Sequence, residues 1–214
     1  MRAANRRLGL AMLVALTLGG CGLQLESDVT AFHALSPGDR GRLIAVAPMD
    51  ARKQGSLEFL SYAAQVEDRL RRAGFRTAGG NDRPELFALF DYQTDEEIVQ
   101  TPYVEPITET RTTTTRDSNG VERRQTNEVI TGYRSGVSTE NRFTRRLRLD
   151  IVEFSASRQQ RKLYEGQLRN VSDCRKLPVI MDVLLEGMFA DRPGASGRAR
   201  SIAVKRENLS RADC

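Results

Sequence analysis

A tight-turn signal between two long polar runs is the feature that most constrains how this chain folds. Residues Asp117–Gly120 read Asp-Ser-Asn-Gly, and these residue types favour the backbone that a hairpin turn requires. The flanking runs Thr110–Thr115 and Val121–Tyr133 are rich in β-branched residues, which favour strands. We therefore predict a long β-hairpin, polar on both faces, inserted at residues 94–142; the alternative is a disordered insert.

The predicted hairpin joins two oppositely charged stretches. Asp82–Glu109 holds eight acidic residues against one basic residue, whereas Arg111–Arg148 holds nine arginines against four acidic residues. The arginines can pair with the acidic stretch across the sheet, which keeps a polar edge soluble. Alternatively they bind an anionic polymer such as lipopolysaccharide, because guanidinium groups bind phosphate bidentately. The arginines available for such an anion contact are Arg111, Arg116, Arg123, Arg124, Arg134, Arg142, Arg145 and Arg146.

Apolar patterning outside the hairpin predicts seven further segments with strand character. The run Arg42–Pro48 is nearly continuous in apolar residues, which is typical of a buried central strand. Strict alternation in Arg146–Ile151 is typical of a half-buried antiparallel strand, and a polar turn at 155–160 leads to the next one. The predicted strands are Asp28–His33, Arg42–Pro48, Phe75–Ala78, Glu85–Tyr92, Arg146–Ile151, Lys162–Leu168 and Ile202–Val204.

Two segments show helical periodicity. The first follows a possible N-cap at Ser56 and ends at Gly74, a residue that suits the left-handed C′ position. Its predicted apolar stripe consists of Leu57, Leu60, Ala63, Ala64, Val66, Leu70 and Ala73. The second begins near Pro178, carries an apolar stripe to Met188 and stops at Asp191–Gly194. The predicted fold is α+β, a mostly antiparallel sheet with two helices packed on one face.

The N-terminus has the organisation of a secretory signal. An apolar run, Leu8–Leu18, follows three arginines and leads to the small residues Gly19 and Gly20. Eleven helical residues reach roughly 16 Å at ~1.5 Å each, about half of a bilayer core, so a stable membrane span is not expected. Residues 1–20 are therefore predicted to be a cleaved signal peptide.

Cys21 directly follows the two glycines, and this sequence resembles the lipobox of bacterial lipoproteins. The resemblance implies cleavage between Gly20 and Cys21 and acylation of Cys21, which then holds the chain on a lipid bilayer. Gly22 stands where an inner-membrane retention signal usually has Asp, which favours the periplasmic face of the outer membrane. We expect a tether at 21–27, one periplasmic domain at 28–207 and a tail at 208–214.

Composition corrects the impression of a strongly basic protein. Three arginines of the 214-residue chain lie in the signal, so the mature chain of 194 residues carries 30 basic against 28 acidic residues. This balance argues against a nucleic-acid partner. If Cys21 is acylated, Cys174 and Cys214 remain, and an oxidising compartment favours a disulfide between them; two free thiols are the alternative.

Several short strings, among them Val29–His33, Leu163–Gly166 and Leu184–Phe189, together resemble a bacterial lipoprotein family that is catalogued as domain of unknown function 4136. They cover nearly all of the mature chain except the hairpin, from about Asp28 to Val204. The matching strings are Val29–His33, Gly55–Phe59, Leu70–Phe75, Leu163–Gly166, Leu184–Phe189 and Pro193–Gly197. Arg192 departs from the family pattern, which usually has an aromatic residue there. The resemblance implies a lipid-anchored periplasmic α+β domain, without an established activity, cofactor or catalytic residue.

Candidate chemistry in the sequence is sparse. The one histidine, His33, lies on a predicted strand without a local metal-ligand cluster, and we expect a partly exposed strand residue. The triplet Asp95–Glu97 could hold a divalent cation, but neighbouring strand residues point to alternate faces, which favours a solvated face. Gly136 and Ser138 resemble a nucleophile elbow only loosely. We predict no catalytic residue, metal or cofactor.

The predicted function follows from the predicted location in the cell envelope and from the scarcity of candidate catalytic and metal-binding residues. We expect a non-enzymatic, lipid-anchored envelope lipoprotein that binds an unidentified envelope protein or scaffolds the envelope. The first alternative is a binder of anionic envelope polymer through the arginine-rich hairpin. The second is an uncharacterised hydrolase or transferase, which requires a concave site with convergent carboxylates.

Overall fold

The computed structural model describes residues 23–80, 82–154, 160–190, 196–207 and 211–214, which contain two α-helices and seven strands. The helices are α1 (Leu57–Arg72) and α2 (Leu177–Phe189). The strands are β1 (Leu23–His33), β2 (Leu43–Pro48), β3 (Arg76–Thr77), β4 (Leu86–Arg116), β5 (Glu122–Phe154), β6 (Gln160–Ser172) and β7 (Arg198–Arg206). The prediction of a mixed domain of strands and two helices is confirmed. The predicted helix stop at 191–194 and most of the turn at 155–160 lie outside the described residues.

All seven strands belong to one sheet in the order β3-β2-β4-β5-β6-β1-β7. The prediction of a mostly antiparallel sheet is only partly right, because the sheet is mixed. Strand β2 pairs in parallel with both β3 and β4, whereas β4, β5, β6, β1 and β7 pair successively in antiparallel fashion. The physical reason is α1, which returns the chain to the starting end of β2, so the next strands run in the same direction.

Both helices pack against one face of the sheet and share one hydrophobic core. The Arg69 guanidinium on α1 donates to the Asp182 carboxylate on α2 and ties the helices together. Ser56 caps α1 by accepting the amide of Phe59, and Gly74 adopts φ 99° just past the helix, as predicted. The body is therefore a two-layer structure with one covered and one open sheet face.

The buried stripe of α1 differs from the predicted one. Its core positions are Phe59, Tyr62, Ala63, Val66 and Leu70. The predicted core residues Leu57 and Leu60 are exposed, with 84% and 53% of their surface accessible, and Ala64 is exposed as well. The prediction is wrong there because the aromatic residues occupy the inward face, which turns positions 57 and 60 away from the sheet.

The predicted tether at 21–27 is also wrong over most of its length. Residues 23–27 belong to β1, where they pair with β7, and Leu23 and Leu25 are buried. Part of the signal was present in the sequence, because Leu23, Leu25 and Val29 recur with the period of a half-buried strand, although Ser27 interrupts the apolar series. Strand β7 is likewise longer than the predicted Ile202–Val204 because it follows β1 along this extension.

The hairpin is a continuous extension of β4 and β5 out of the body. The two strands stay paired as far as Arg116 and Glu122, with one register shift after Ile107. The Asp117 side chain accepts the amides of Asn119 and Val121, and Gly120 adopts φ 79° in the turn. The predicted hairpin is therefore present as an ordered two-stranded ribbon, not as a disordered insert.

Candidate ligand pocket and charged hairpin

A cavity of about 280 Å³ lies between the C-terminal ends of the two helices and the sheet. It opens at the end of the body where β1 and β5 finish. Its walls are mainly apolar, with polar groups from His33, Ser36, Asp39, Arg40 and Tyr164 among them. The lining residues are His33, Leu35, Ser36, Pro37, Asp39, Arg40, Leu70, Ala73, Phe75, Leu149, Ile151, Tyr164, Met188 and Phe189. An apolar pocket with a few polar groups has the character of a small-ligand site.

Two glycine positions shape this pocket. Gly74 ends α1 with positive φ and brings Phe75 back toward the sheet, and the Gly74 carbonyl accepts the Gly41 amide at 2.7 Å. On β6 the Tyr164 ring lies over Gly166, where an added Cβ would approach the tyrosine hydroxyl oxygen to 2.5 Å. Gly166 therefore permits the Tyr164 ring to pack along the strand and form one wall of the pocket.

A charged network fixes the loop after β1, which lines the pocket. The Asp39 carboxylate accepts the backbone amide of Ser36 at 2.8 Å and the guanidinium of Arg42 at 3.0 Å. The hydrogen bond from the Ser36 amide is the main reason that the pKa of Asp39 is lowered. Arg42 also donates to Glu85 and Glu153, and its own pKa is raised mainly through Glu153. Because the three carboxylates are already paired with Arg42, this network holds the loop in place.

The one histidine of the sequence lines this pocket. His33 is half-buried at the end of β1, in agreement with the predicted partly exposed strand residue, and its backbone amide donates to the Ser196 hydroxyl. Burial raises the pKa of the neighbouring Tyr164 hydroxyl. Sequence reasoning did not identify this pocket, because its lining comes from both helices, three strands and the loop after β1.

A second polar cluster lies at the opposite end of α1. The hydroxyls of Tyr62 and Tyr92 both donate to the Glu58 carboxylate, at 3.2 and 3.1 Å. The two rings meet edge to face at 4.9 Å, and the Lys53 ammonium lies 3.9 Å from the Tyr92 ring centre. Burial and then Glu58 raise the pKa of Tyr92 to about 12. The cluster ties the start of α1 to β4 through the two phenol hydroxyls, which donate to Glu58.

The structure supports pairing of several hairpin arginines with acidic residues. Arg134 pairs with Glu105, Arg146 with Asp95, and Arg116 with Glu122. All three pairs join β4 to β5, and in the first two the acidic residue comes from the preceding acidic stretch, as the cross-strand interpretation predicts. Four of the predicted anion-contact residues lie exposed on the hairpin without an ion pair to a described residue: Arg111, Arg123, Arg124 and Arg142.

Arg145 contradicts the prediction of an anion contact at the surface. Its side chain is completely buried on the helix side of the sheet, because odd-numbered residues of β5 point inward at this level. Its Nη1 donates to the Ser172 hydroxyl at 2.9 Å and its Nη2 donates to the Cys174 carbonyl. Burial lowers the pKa of Arg145 to about 10, and its Nε has no hydrogen-bond partner among the described residues.

The remaining sequence candidates are dispersed. Asp95 pairs with Arg146, and within the described ranges no group of three or more His, Cys, Asp or Glu side chains could hold a metal ion. Gly136 lies in the middle of β5 beneath the Tyr103 ring, where an added Cβ would come within 2.7 Å of that ring. Gly136 and Ser138 are thus strand residues and lack the strand-turn-helix setting of a nucleophile elbow.

The structure brings Cys174 and Cys214 together as a disulfide, with their Cα atoms 4.6 Å apart. The Lys176 ammonium donates to the Asp213 carbonyl beside it, which fastens the end of the chain. The predicted signal peptide, the cleavage site at Gly20 and the acylated Cys21 lie outside the described residues. No helix in the described part of the chain is both long enough and apolar enough to cross a bilayer.

Comparison with known proteins gives little further information. No family model matches the sequence, and no curated protein matches it. A solved structure with partial similarity is that of a PDZ domain protein from Parabacteroides distasonis ATCC 8503, at 13% sequence identity and a TM-score of 0.45. The similar region covers 86% of this chain and 39% of that protein, so the chain spans well under half of its length.

Proposed function

We propose that this chain is a non-enzymatic, lipid-anchored lipoprotein of the bacterial envelope, held on the periplasmic face of the outer membrane by acylated Cys21. We further propose that it belongs to the lipoprotein family that its sequence resembles. Its molecular activity is to bind an apolar group in the pocket between the helix ends. That group is a short alkyl chain or an apolar side chain of an envelope partner.

The pocket is the observation that carries the binding function. Its walls are formed by Leu70, Phe75, Leu149, Ile151 and Met188, so an apolar guest gains free energy on leaving water. The buried Asp39 carboxylate in the lining already accepts hydrogen bonds from Ser36 and Arg42. An acid that is held in its charged form by such partners serves to fix the loop, whereas a general acid or base needs a pKa near neutral pH.

Intact mass of the protein from a membrane fraction tests the anchor. We expect the mass of residues 21–214 plus three acyl groups, two alkylated cysteines after reduction and none before. An unlipidated mass, with the signal retained or cut elsewhere, would contradict the proposed lipid anchor and outer-membrane location.

Titration calorimetry with octanoate tests the pocket. We expect saturable binding with a negative heat-capacity change, the mark of apolar burial. Ala73→Phe places a ring into the pocket from the end of α1 and should weaken binding by about tenfold or more. Ala64→Phe on the exposed side of the same helix is the matched control and should leave binding unchanged. Equal affinity in both variants would contradict binding in this cavity.

A second candidate function is binding of an anionic polymer at the hairpin tip. The observation that favours it is the adjacent pair Arg123 and Arg124, exposed at the start of β5 without an ion pair to a described residue. Replacement of both by Glu should reduce salt-sensitive retention of the mature protein on an anionic matrix. Unchanged, salt-insensitive retention would count against this function.

A further inference from the structure

The N-terminal end of β1 and the hairpin leave the body at the same end of the sheet. Ser27 on β1 lies opposite Asn170 on β6, which lies opposite Arg145 on β5. Arg145 in turn lies opposite Thr94 on β4. Four residues before Ser27 and four residues beyond Thr94, Leu23 and Ile98 therefore lie at about the same level.

The hairpin extends far past that level. From Ile98 the paired strands continue to Arg116, and eighteen residues at about 3.3 Å each span roughly 60 Å. Cys21 precedes Leu23 by two residues, which reach at most about 7 Å. A bilayer with its headgroups is only about 40–45 Å thick. A body held by an acylated Cys21 thus places the hairpin against the membrane.

The backbone of the hairpin keeps it out of the hydrocarbon core. Strand β2 pairs with β4 only as far as Phe90, and β6 pairs with β5 only from Phe143 onward. Beyond these points both outer edges of the hairpin lack a strand partner within the described chain. Unpaired backbone amides and carbonyls are costly in hydrocarbon, so the ribbon must stay in the interfacial zone.

One side of the hairpin stem is suited to that zone. From the Ile98–Asn141 pair to the register shift, the ten side chains on the helix-bearing side include none that is charged, whereas Glu96, two residues before Ile98 on the same side, carries a charge. The ten are Ile98, Gln100, Pro102, Val104, Pro106, Tyr133, Ser135, Val137, Thr139 and Asn141. The opposite side carries the charges Glu97, Glu105, Arg134, Glu140 and Arg142. Ile98, Val104, Tyr133 and Val137 are all more than 60% exposed.

The start of α1 adds apolar surface at the same end and on the same side. The hydrogen bond between Glu58 and Tyr92 fixes the first turn of α1 near the point where β4 leaves the body. The neighbouring residues Leu57 and Leu60 are exposed there. On this side of β4, Thr94 and Glu96 separate the first turn of α1 from Ile98, so Leu57 and Leu60 form a second exposed apolar patch. Exposed apolar patches bordered by polar residues mark contact sites.

We propose that this uncharged side of the stem, together with Leu57 and Leu60, rests on the phospholipid bilayer. Because the hairpin continues β4 and β5, the strands of the body then run along the membrane, with the ligand pocket at the end of the body farthest from the hairpin. This inference depends on the acylated Cys21 of the proposed function, because the anchor sets which end of the body faces the lipid. Tethering makes even a weak interfacial contact effective, since the local lipid concentration is high.

Site-specific fluorescence on the lipidated full chain tests this contact. Val104→Cys lies on the uncharged side, and Thr101→Cys, three residues earlier on the charged side, is the matched control. Each is labelled with a polarity-sensitive dye in vesicles of phosphatidylethanolamine and phosphatidylglycerol that contain nitroxide lipids. We expect at least about twofold stronger quenching at position 104 than at position 101, since one side of an interfacial element is buried.

The intact mass of the same samples distinguishes a failure of the bilayer contact from a failure of the acyl anchor. Equal quenching at both positions in a protein with acylated Cys21 overturns the bilayer contact and leaves the anchor intact. An unacylated Cys21 overturns both proposals. Stronger quenching at position 104 that disappears in the secreted Cys21→Ser protein supports the contact and its dependence on the anchor.

Discussion

Strands β4 and β5 belong to two very different environments along their lengths. In the body, the inward residues Leu86, Ala88 and Phe90 of β4 are completely buried against the helices. Beyond Tyr92 on β4, and before Phe143 on β5, none of the described residues is buried. The same antiparallel ladder therefore continues from a packed core into solvent.

The comparison teaches that strand pairing and core formation are separable in this chain. The body is held by apolar burial, whereas the hairpin relies on its ladder, β-branched residues, cross-strand ion pairs and the stacking of Tyr103 on Gly136. An isolated hairpin is marginally stable in water, so the body must provide the fixed base from which it extends.

Matched isoleucine substitutions on β5 should show the largest difference between the two regions. Ile151 in the body is 3% exposed and Ile130 in the hairpin is 54% exposed. Ile151→Ala should lower the free energy of unfolding by about 2–5 kcal/mol because it leaves a cavity. Ile130→Ala should change it by less than about 0.5 kcal/mol. Urea denaturation followed by circular dichroism measures both, and similar losses would contradict the distinction.

Removal of an ion pair should also lower the free energy of unfolding more in the body than in the hairpin. Arg42 in the body donates to Asp39, Glu85 and Glu153 and is only 20% exposed in its side chain. Arg42→Ala should cost about 1–2 kcal/mol of unfolding free energy, because it strands partly buried carboxylates. Arg134→Ala removes one exposed pair with Glu105 and should cost about 0–0.5 kcal/mol. Equal costs in the urea experiment would show that the hairpin pair is as important as the network.

The contribution of Asp39 to the free energy of unfolding should depend on pH, which tests the ion-pair network of the body. The pKa of Asp39 is lowered by folding, so its contribution is present above its unfolded value of 3.8 and is lost as the pH falls through the folded value. Asp39→Asn should cost about 1 kcal/mol at pH 7, and the difference from the natural protein should shrink below pH 3.8. A difference independent of pH in urea titrations would exclude the charge as its cause.

Removal of the hairpin should have the smallest effect on stability. Replacing residues 99–140 by Asn-Gly joins the paired residues Ile98 and Asn141 through a two-residue turn. Since the deleted residues contribute no buried side chain, the free energy of unfolding should change by less than about 0.5 kcal/mol. A large loss in thermal or urea unfolding would show that the hairpin stabilises the body. Octanoate binding at the far end should persist in this variant.

Local features were predictable from sequence where one short stretch carried the whole signal. The turn at Asp117–Gly120, the Ser56 cap and the Gly74 helix end all depend on neighbouring residues and are found in the structure. The prediction failed where the outcome depends on how elements that are distant in sequence pack together. Leu57 and Leu60 fitted a helical stripe, but Phe59 and Tyr62 occupy the inward face because the sheet offers space for their rings.

The sequence by itself determined both helices, the position of each strand apart from the first residues of β1 and the full length of β7, the hairpin and the two cysteines available to form the bridge. These follow from composition, local backbone preference and spacing. Only the tertiary structure decided the parallel pairing of β2, the burial of Arg145 and the pocket beside Tyr164. Each of these depends on which segments meet across the sheet. That choice results from packing all apolar faces together in three dimensions, and periodicity along the chain does not encode it.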